Sequence, residues 1–221
     1  MPADQNVLTL TLLLAAYLLG SLSGSLLLGR LRGVDIRTMG SGNAGGTNAF
    51  RTQGLKFALG VVIVDIGKGA LAAWLGLRFA PGDVAHWLPY ATAFAAVIGH
   101  IWPVWHGFRG GKGAATAVGA TLVLWPPAVG VMLAVWLINL VLSGYVGLGT
   151  VLAGIALAVY AKYTGAMSAR LDFSVAIAFL LVWTHRANLA RLRAGTESRF
   201  EKARLLHRLF ARRSARVPHG D

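Results

Sequence analysis

Residues 37–51 read RTMGSGNAGGTNAFR, and this polar stretch separates two long apolar segments. It holds four glycines, two asparagines and a serine, with an arginine at each end, so it offers little for a hydrophobic core. The segments on either side, at roughly 7–29 and 55–77, are long enough to cross a bilayer, which takes about 20 residues. The pattern indicates a membrane protein with a functional loop between its first two spans.

The composition supports this interpretation. Of the 221 residues, 56% are hydrophobic and only 13% are charged, and the mean hydropathy is +0.61. A soluble domain carries about 25% charged residues. There is no cysteine, which excludes disulfides and thiolate metal sites.

Two breaks decide the number of spans. The prolines in WPP at 125–127 and the glycines in SGYVGLG at 143–149 each divide a long apolar region. We therefore predict an all-α integral membrane protein with about seven transmembrane helices, or five if both breaks are only kinks. The apolar runs lie at roughly 7–29, 55–77, 87–105, 114–125, 127–143, 148–162 and 172–185.

The basic residues predict the orientation. The net charge is +13, and with seven spans and the N-terminus outside, 17 of the 21 lysines and arginines fall in the cytoplasm. Such an excess is typical of cytoplasmic loops. We predict a single membrane domain over 1–198 with a cytoplasmic C-terminus, followed by a basic tail over 199–221. The tail suits anionic membrane lipids and lacks the interleaved aromatics of a nucleic-acid-binding segment.

With this topology, several polar, glycine-rich stretches lie together at the cytoplasmic face, which predicts one site built from separate loops. Glycines let successive backbone amides converge on an anion, and Arg51 adds a planar fork suited to phosphate. Lys112 offers a second cation, and His185 and Asn188 lie three residues apart, on one face of a helix. Further expected phosphate donors are Asn43, Thr47, Asn48, Gly110, Gly111 and Gly113, with Ser41 beside them.

Other interpretations of these features are less specific. Residues 40–45 spell G-x-G-x-x-G, but no strand precedes them, and HGFRGGKG at 106–113 lacks the first glycine and final hydroxyl of a P-loop. A glycine-rich loop is as often a plain connector. Asp65 and Lys68, three apart within a span, are expected to pair with each other, because isolated charges are costly in a membrane. His100 either packs against the first loop or contacts substrate.

Four motifs together resemble the bacterial membrane glycerol-3-phosphate acyltransferases that use acyl phosphate, the PlsY family. They read GSGNAGGTNAFR, DIGKG, GHIWPVWHGFRGGKGAAT and HRANLARLRAGTE. The resemblance implies a seven-helix enzyme of the bacterial inner membrane, with its active site at the cytoplasmic face. It implies that acyl phosphate and sn-glycerol 3-phosphate give 1-acylglycerol 3-phosphate and phosphate, with no metal, cofactor or thioester carrier. The family's motif residues fall on Ser41, Arg51, Lys112, His185, Asn188 and Glu197.

The chain departs from the family in two places. Gly46 stands where alanine is usual, and GYVGLGT replaces a stretch that commonly reads like RYVSLAS. Gly144, Gly147 and Gly149 therefore lack side chains that could contact substrate, while Thr150 keeps a hydroxyl.

The expected reaction is attack of an alcohol on a mixed anhydride, which needs a proton acceptor and stabilisation of charge. Because no Ser-His-Asp set or HxxxxD motif is present, direct transfer is favoured over an acyl-enzyme on Ser41. His185 is expected to act as a phosphate ligand, with the general-base role as the alternative. Asp65, Lys68, His100 and Glu197 are expected to support the site. A transporter or channel for a small phosphorylated anion is the alternative function, because broken helices and glycine loops suit it as well.

Overall fold

The computed structural model describes residues 3–201, and this part of the chain is helical and contains no β-strand. The last twenty residues of the predicted basic tail, 202–221, lie outside the described residues. The ten α-helices are α1 (Ala3–Gly20), α2 (Gly24–Leu31), α3 (Gly46–Gln53), α4 (Leu55–Phe79), α5 (Leu88–Ile101), α6 (Ala114–Leu124), α7 (Pro126–Ser143), α8 (Val146–Tyr163), α9 (Ser168–Thr184) and α10 (Arg186–Arg193). The all-helical prediction is confirmed.

Four of these helices, α1, α4, α7 and α8, are long and apolar enough to cross a membrane. The pair α9 and α10, bent by 53°, makes a fifth if it counts as one span. Many large apolar side chains on these helices point outwards; Leu10, Ile63 and Val159 are each more than 60% exposed. A surface of this kind suits contact with lipid rather than water.

The predicted first span, 7–29, is not one helix. It breaks at Ser21–Ser23, between the end of α1 at Gly20 and the start of α2 at Gly24. The break exposes backbone groups, and α4 satisfies two of them: Lys68 Nζ donates to Leu22 O at 3.0 Å, and Gly24 N donates to Asp65 Oδ1 at 3.1 Å. Apolar content alone does not reveal this interruption.

The two breaks predicted after residue 124 are real helix ends. Helix α6 ends at Leu124 and α7 begins at Pro126. Proline lacks an amide hydrogen, but at the first position of a helix that hydrogen would have no partner within the helix, so no hydrogen bond is lost. Helix α7 ends at Ser143, and Gly144 then adopts a left-handed backbone with φ of +77°. Helices α7 and α8 pack against each other, as helices joined by a reversal do.

The core lies where α4, α5, α6, α7, α8 and α9 meet. Small residues allow the closest packing: Gly69 of α4 lies against the backbone of Thr116, and Gly119 of α6 lies against that of Ile66. A side chain at either glycine would collide with this backbone. Such close helix contacts are typical of membrane bundles. Helices in lipid are not driven together by the hydrophobic effect, and small residues let them associate by close packing.

Candidate active site

A cavity of about 930 Å³ lies between α3, α4, the loop before α6, and the bend between α9 and α10. It brings together most of the predicted site residues. Of that set, the cavity is lined by Ser41, Asn43, Thr47, Asn48, Arg51, Asp65, His100, Lys112, Gly113, His185, Asn188 and Glu197. Lys68, Gly110 and Gly111 do not line it. The first polar loop, the second glycine-rich loop and the segment after α9 therefore do share one site.

A chain of polar contacts runs through the cavity. Lys112 Nζ donates to Asn188 Oδ1, and Asn188 Nδ2 donates to Glu197 Oε1 at 2.5 Å. Arg191 Nε donates to the other carboxylate oxygen of Glu197 at 2.7 Å. Glu197 was expected to act only as a support twelve residues beyond His185; the chain turns back after α10 and carries its carboxylate into the cavity.

The surroundings of Lys112 lower its pKa, so a bound anion would affect its charge. Burial, which removes water from the ammonium, and the positive charge of Arg191 together lower its pKa to about 8. The carboxylate of Glu197 acts in the opposite direction. Lys112 is therefore mostly charged at neutral pH, and a negative ligand would hold it in that form.

His185 lies at the bend itself, after the last residue of α9 and before the first residue of α10. It is 5% exposed, and its Nδ1 is 2.8 Å from Leu181 O. Since a carbonyl oxygen only accepts, Nδ1 carries the hydrogen and Nε2 is the nitrogen available to a ligand. His185 and Asn188 were predicted to share one face of a helix; the bend brings both to the cavity.

The first polar loop is held in shape by Asn48, which is only 2% exposed. Its Nδ2 donates to Ile36 O and Met39 O at 3.1 and 3.0 Å, and its Oδ1 accepts from Ser41 N at 2.9 Å. Both amide hydrogens of Asn48 are thus already used, so the expectation that Asn48 offers a free phosphate donor is wrong. Sequence spacing cannot tell a ligand-binding asparagine from one that folds a loop.

Arg51, three residues further along α3, lines the same cavity. Within residues 3–201 its guanidinium has no hydrogen-bond or ion-pair partner, although Asp35, in the same polar region, is paired with Arg37. An unpaired guanidinium facing a cavity is suited to a phosphate.

The glycines before Lys112 act differently from the prediction. Gly110 N and Gly111 N donate to the carbonyls of Ile101 and His100, both at 3.1 Å, so their amides cannot point at an anion. The missing side chain of Gly111 instead makes room for the His100 ring and for Ala44 O. Of the three glycines around Lys112, only Gly113 lines the cavity; it precedes α6 and has φ of +89°.

Beneath this loop lies a buried ionic cluster. Asp65 and Lys68 pair at 2.9 Å between Oδ1 and Nζ, which confirms the pairing expected from their spacing. Lys68 Nζ also lies 2.8 Å from His100 Nδ1, and since an ammonium has no acceptor, Lys68 donates. The cluster joins α4 to α5 and to the break between α1 and α2, and it supports the loop that carries Lys112.

Two glycines near the start of α8 leave room for the side chains of two asparagines. A Cβ at Gly147 would lie 3.0 Å from Cβ, Cγ and Nδ2 of Asn188, so only glycine leaves Asn188 undisturbed. Gly149 lies in the same way against Asn139, whose Nδ2 donates to Tyr145 O at 2.9 Å. The hydroxyl of Thr150, expected as a remaining donor, is bound to Val146 O at 3.0 Å.

Several lining residues were not predicted. Arg191 was overlooked although it lies three residues after Asn188. Thr184, which does not line the cavity, fixes the loop by donating from Oγ1 to Lys112 O at 3.1 Å. Helix periodicity would have identified Arg191. The cavity also has an apolar lining, contributed by Leu55, Ala58, Leu59, Val62, Trp136, Leu140 and Val146. The cavity thus combines cations with apolar surface suited to a hydrocarbon chain.

Comparisons with known proteins show the family to which the chain belongs. The family model described as glycerol-3-phosphate acyltransferase matches residues 10–195. A glycerol-3-phosphate acyltransferase of Synechococcus sp. (strain CC9902) is 43% identical over 193 residues, covering 86% of this chain and 94% of the relative. One from Myxococcus xanthus (strain DK1622) is 42% identical over 198 residues, covering 87% of this chain and 100% of the relative.

The fold is also similar to that of solved structures. The crystal structure of PlsY (YgiH), an integral membrane glycerol 3-phosphate acyltransferase, in its glycerol 3-phosphate form, matches with a TM-score of 0.82 and 35% identity. The match covers 87% of this chain and 95% of the other. The lysophosphatidic acid form of that protein matches with a TM-score of 0.80. The chain therefore belongs to the family of membrane glycerol-3-phosphate acyltransferases represented by PlsY.

Proposed function

We propose that this protein transfers an acyl group from acyl phosphate to sn-glycerol 3-phosphate, giving 1-acylglycerol 3-phosphate (lysophosphatidate) and phosphate. The observation that carries the proposal is a single cavity lined both by Arg51 and Lys112 and by apolar side chains of α4, α7 and α8. Both substrates carry phosphate, and one carries a long hydrocarbon chain. Membership of the acyltransferase family and the glycerol 3-phosphate and lysophosphatidic acid forms of PlsY support the same substrates.

Arg51 and Lys112 are assigned to the phosphate groups of the substrates. Charge-assisted hydrogen bonds of this kind contribute about 1.5–3 kcal/mol each. Asn43 and Thr47, which also line the cavity, add neutral donors, and Lys112 and Glu197 hold Asn188 in place.

We assign direct transfer to the reaction: the glycerol hydroxyl attacks the acyl carbonyl and gives its proton to a bound phosphate, the bond from carbon to the phosphate oxygen breaks, and phosphate leaves. Within residues 3–201, no histidine or carboxylate is hydrogen-bonded to Ser41 Oγ, so nothing activates it as a nucleophile. Ser41 instead supplies a hydroxyl to the substrate. His185 is assigned as a phosphate ligand through Nε2. Burial and the charge of Lys112 lower the pKa of His185 to about 4, so the free ring is neutral at neutral pH, and Nε2 donates to phosphate when the negative charge of the bound substrate favours the protonated ring.

We further propose that the chain crosses a bacterial inner membrane seven times, with α5 and α6 as short spans and the cavity at the cytoplasmic face. The excess of basic residues in the loops that line the cavity supports this orientation. Reporter fusions placed after Arg51, Gly113 and Glu197 are expected to report the cytoplasm. A periplasmic signal at any of these positions contradicts the topology.

The activity is tested by adding acyl phosphate and glycerol 3-phosphate to the purified protein in detergent and extracting the lipid. We expect lysophosphatidate to form from acyl phosphate, and little or none from an acyl thioester of the same chain length. A transporter would produce no new lipid in detergent, where transport has no meaning. Absence of lysophosphatidate with both donors contradicts the proposed function.

A further inference from the structure

Residues 197–200 follow α10 and border the cavity; we call this segment the strap. The chain reverses at Gly195, which has φ of +71°, and Thr196 N donates to Arg191 O at 2.9 Å, which closes the last turn of α10. Glu197, Ser198 and Phe200 then line the cavity. The family model ends at residue 195, before the strap begins.

The far end of the strap is fixed to the joint between α7 and α8. Phe200 N donates to Gly144 O at 2.8 Å. Arg199 Nε donates to Tyr145 OH at 2.6 Å, and the guanidinium carbon lies 5.0 Å from the centre of the Tyr145 ring. Neither Arg199 nor Tyr145 lines the cavity, so their contact acts on the strap and not on a ligand.

The strap also reaches α3. The ring of Phe200 meets the ring of Phe50 edge-on, with the ring centres 5.8 Å apart. Phe50 precedes Arg51, one of the two proposed phosphate-binding cations. Together with the hydrogen bond from Asn188 to Glu197, these contacts tie α10, the α7–α8 joint and α3 across one side of the cavity.

An enzyme that handles acyl phosphate has to keep water away from it. Water can attack the same carbonyl as the glycerol hydroxyl: a new bond forms from carbon to the water oxygen, and the bond to the phosphate oxygen breaks. The products are a fatty acid and phosphate, and the acyl group is lost. A cover over the site suppresses this side reaction by excluding water.

We propose that the strap is this cover, and that Arg199 is the positioning residue that holds it closed by its contact with Tyr145. The inference rests on the proposed function, since it assumes acyl phosphate as the donor. Arg199 then affects how much of the acyl group is transferred and how much is hydrolysed. It takes no part in the transfer reaction itself.

The test measures inorganic phosphate and lysophosphatidate in the same reaction, after subtraction of a protein-free blank. In the wild-type protein the two products should form in nearly equal amounts. Arg199→Ala and Phe200→Ala should each raise the hydrolysed fraction of acyl phosphate by about two- to fivefold. This is the effect that loss of an exposed cation–π contact, for Arg199, or of an edge-on ring contact, for Phe200, has on an open–closed equilibrium. Because this is a ratio of products, it does not depend on the amount of folded protein.

Two further variants and one control sharpen the result. Arg199→Lys keeps a cation over the ring and should restore coupling in part, and Tyr145→Phe keeps the ring but loses the hydroxyl and should be intermediate. The matched control is Arg186→Ala, because Arg186 also lies over an aromatic ring, at 4.3 Å from Trp183, and donates to Trp183 O, but does not line the cavity. It should hydrolyse no more than the wild type.

Wild-type coupling in both strap variants, or equal uncoupling by Arg186→Ala, overturns the inference about the strap. A wild-type protein that forms no lysophosphatidate contradicts the proposed function instead, so the two failures are distinguishable.

Discussion

Lys112 and Asn188 lie 76 residues apart in the chain, and Nζ of Lys112 donates a hydrogen bond to Oδ1 of Asn188. This contact joins the glycine-rich loop before α6 to α10, the helix that follows the bend at His185. It orients the asparagine amide so that Nδ2 faces Glu197. The contact therefore positions two motif residues with one hydrogen bond, and a substrate phosphate that approaches Lys112 also approaches Asn188.

The first prediction concerns pH. Lys112 binds phosphate as a cation, and burial lowers its pKa to about 8. The cation is present below this pKa and is lost as the pH rises through it, so kcat/KM for glycerol 3-phosphate should fall above about pH 8. Lys112→Arg should move this decline to much higher pH, because a guanidinium stays charged.

The effect of Glu197 on this profile has a definite sign. Its carboxylate raises the pKa of Lys112, so Glu197→Gln should move the decline to lower pH. The pH profiles of kcat/KM for the three proteins provide the measurement. A decline at the same pH in all of them shows that another group titrates.

The second prediction concerns the close approach of α8 to Asn188. Gly147→Ala places a methyl group 3.0 Å from three atoms of Asn188, so the asparagine has to give way, which disturbs its contact with Lys112. We expect at least a tenfold loss of turnover, as about 1.4 kcal/mol of lost alignment implies. The control is Gly130→Ala in α7, where nothing lies within 4 Å of the added methyl. Equal activity of the two variants contradicts the proposed role of this contact.

The third prediction concerns the buried cluster of Asp65, Lys68 and His100. Lys68→Ala leaves the carboxylate of Asp65 buried without its ammonium partner, which costs about 3–5 kcal/mol in comparable buried pairs. The thermal unfolding midpoint in detergent should therefore fall by several degrees. Lys56→Ala serves as the control, because Lys56 lies on the same helix and is exposed. Similar midpoints for the two variants show that the cluster does not stabilise the fold.

The fourth prediction separates the two roles of His185. Because Nδ1 is bound to Leu181 O, any substrate contact is made by Nε2. If Nε2 donates to phosphate, His185→Gln keeps a donor and should retain clearly more activity than His185→Ala, with the loss mainly in KM for glycerol 3-phosphate. If Nε2 is the general base, both variants lose kcat equally and the acidic limb of the pH profile disappears.

Much of this arrangement could be predicted from the sequence. Apolar runs, prolines and glycines indicated the helices after residue 50, and the polar loops indicated that Arg51, Lys112 and His185 share a site. The break at Ser21–Ser23 was not predictable, because the groups that satisfy it, Asp65 and Lys68, are distant in sequence. Tertiary contacts override the local apolar pattern there.

Backbone direction accounts for most of the remaining differences. The amides of Gly110 and Gly111 and the side chain of Asn48 are the right groups for an anion site, yet all are bound to backbone carbonyls. Composition specifies which donors exist, and only the fold specifies which remain free. The strap was missed for a related reason, because its anchors on Gly144 and Tyr145 are more than fifty residues away.

The central claim is that the cavity containing Arg51 and Lys112 is the site of acyl transfer. The most direct test is the rate of lysophosphatidate formation by purified Arg51→Ala and Lys112→Ala proteins, compared with Arg32→Ala, a change to an exposed arginine that does not line the cavity. We expect each cavity variant to lose about ten- to a hundredfold in kcat/KM for every charge-assisted phosphate contact that is removed, which corresponds to about 1.5–3 kcal/mol. Arg32→Ala should behave as the wild type. Near-wild-type kinetics in either cavity variant would contradict the assignment of this cavity as the active site.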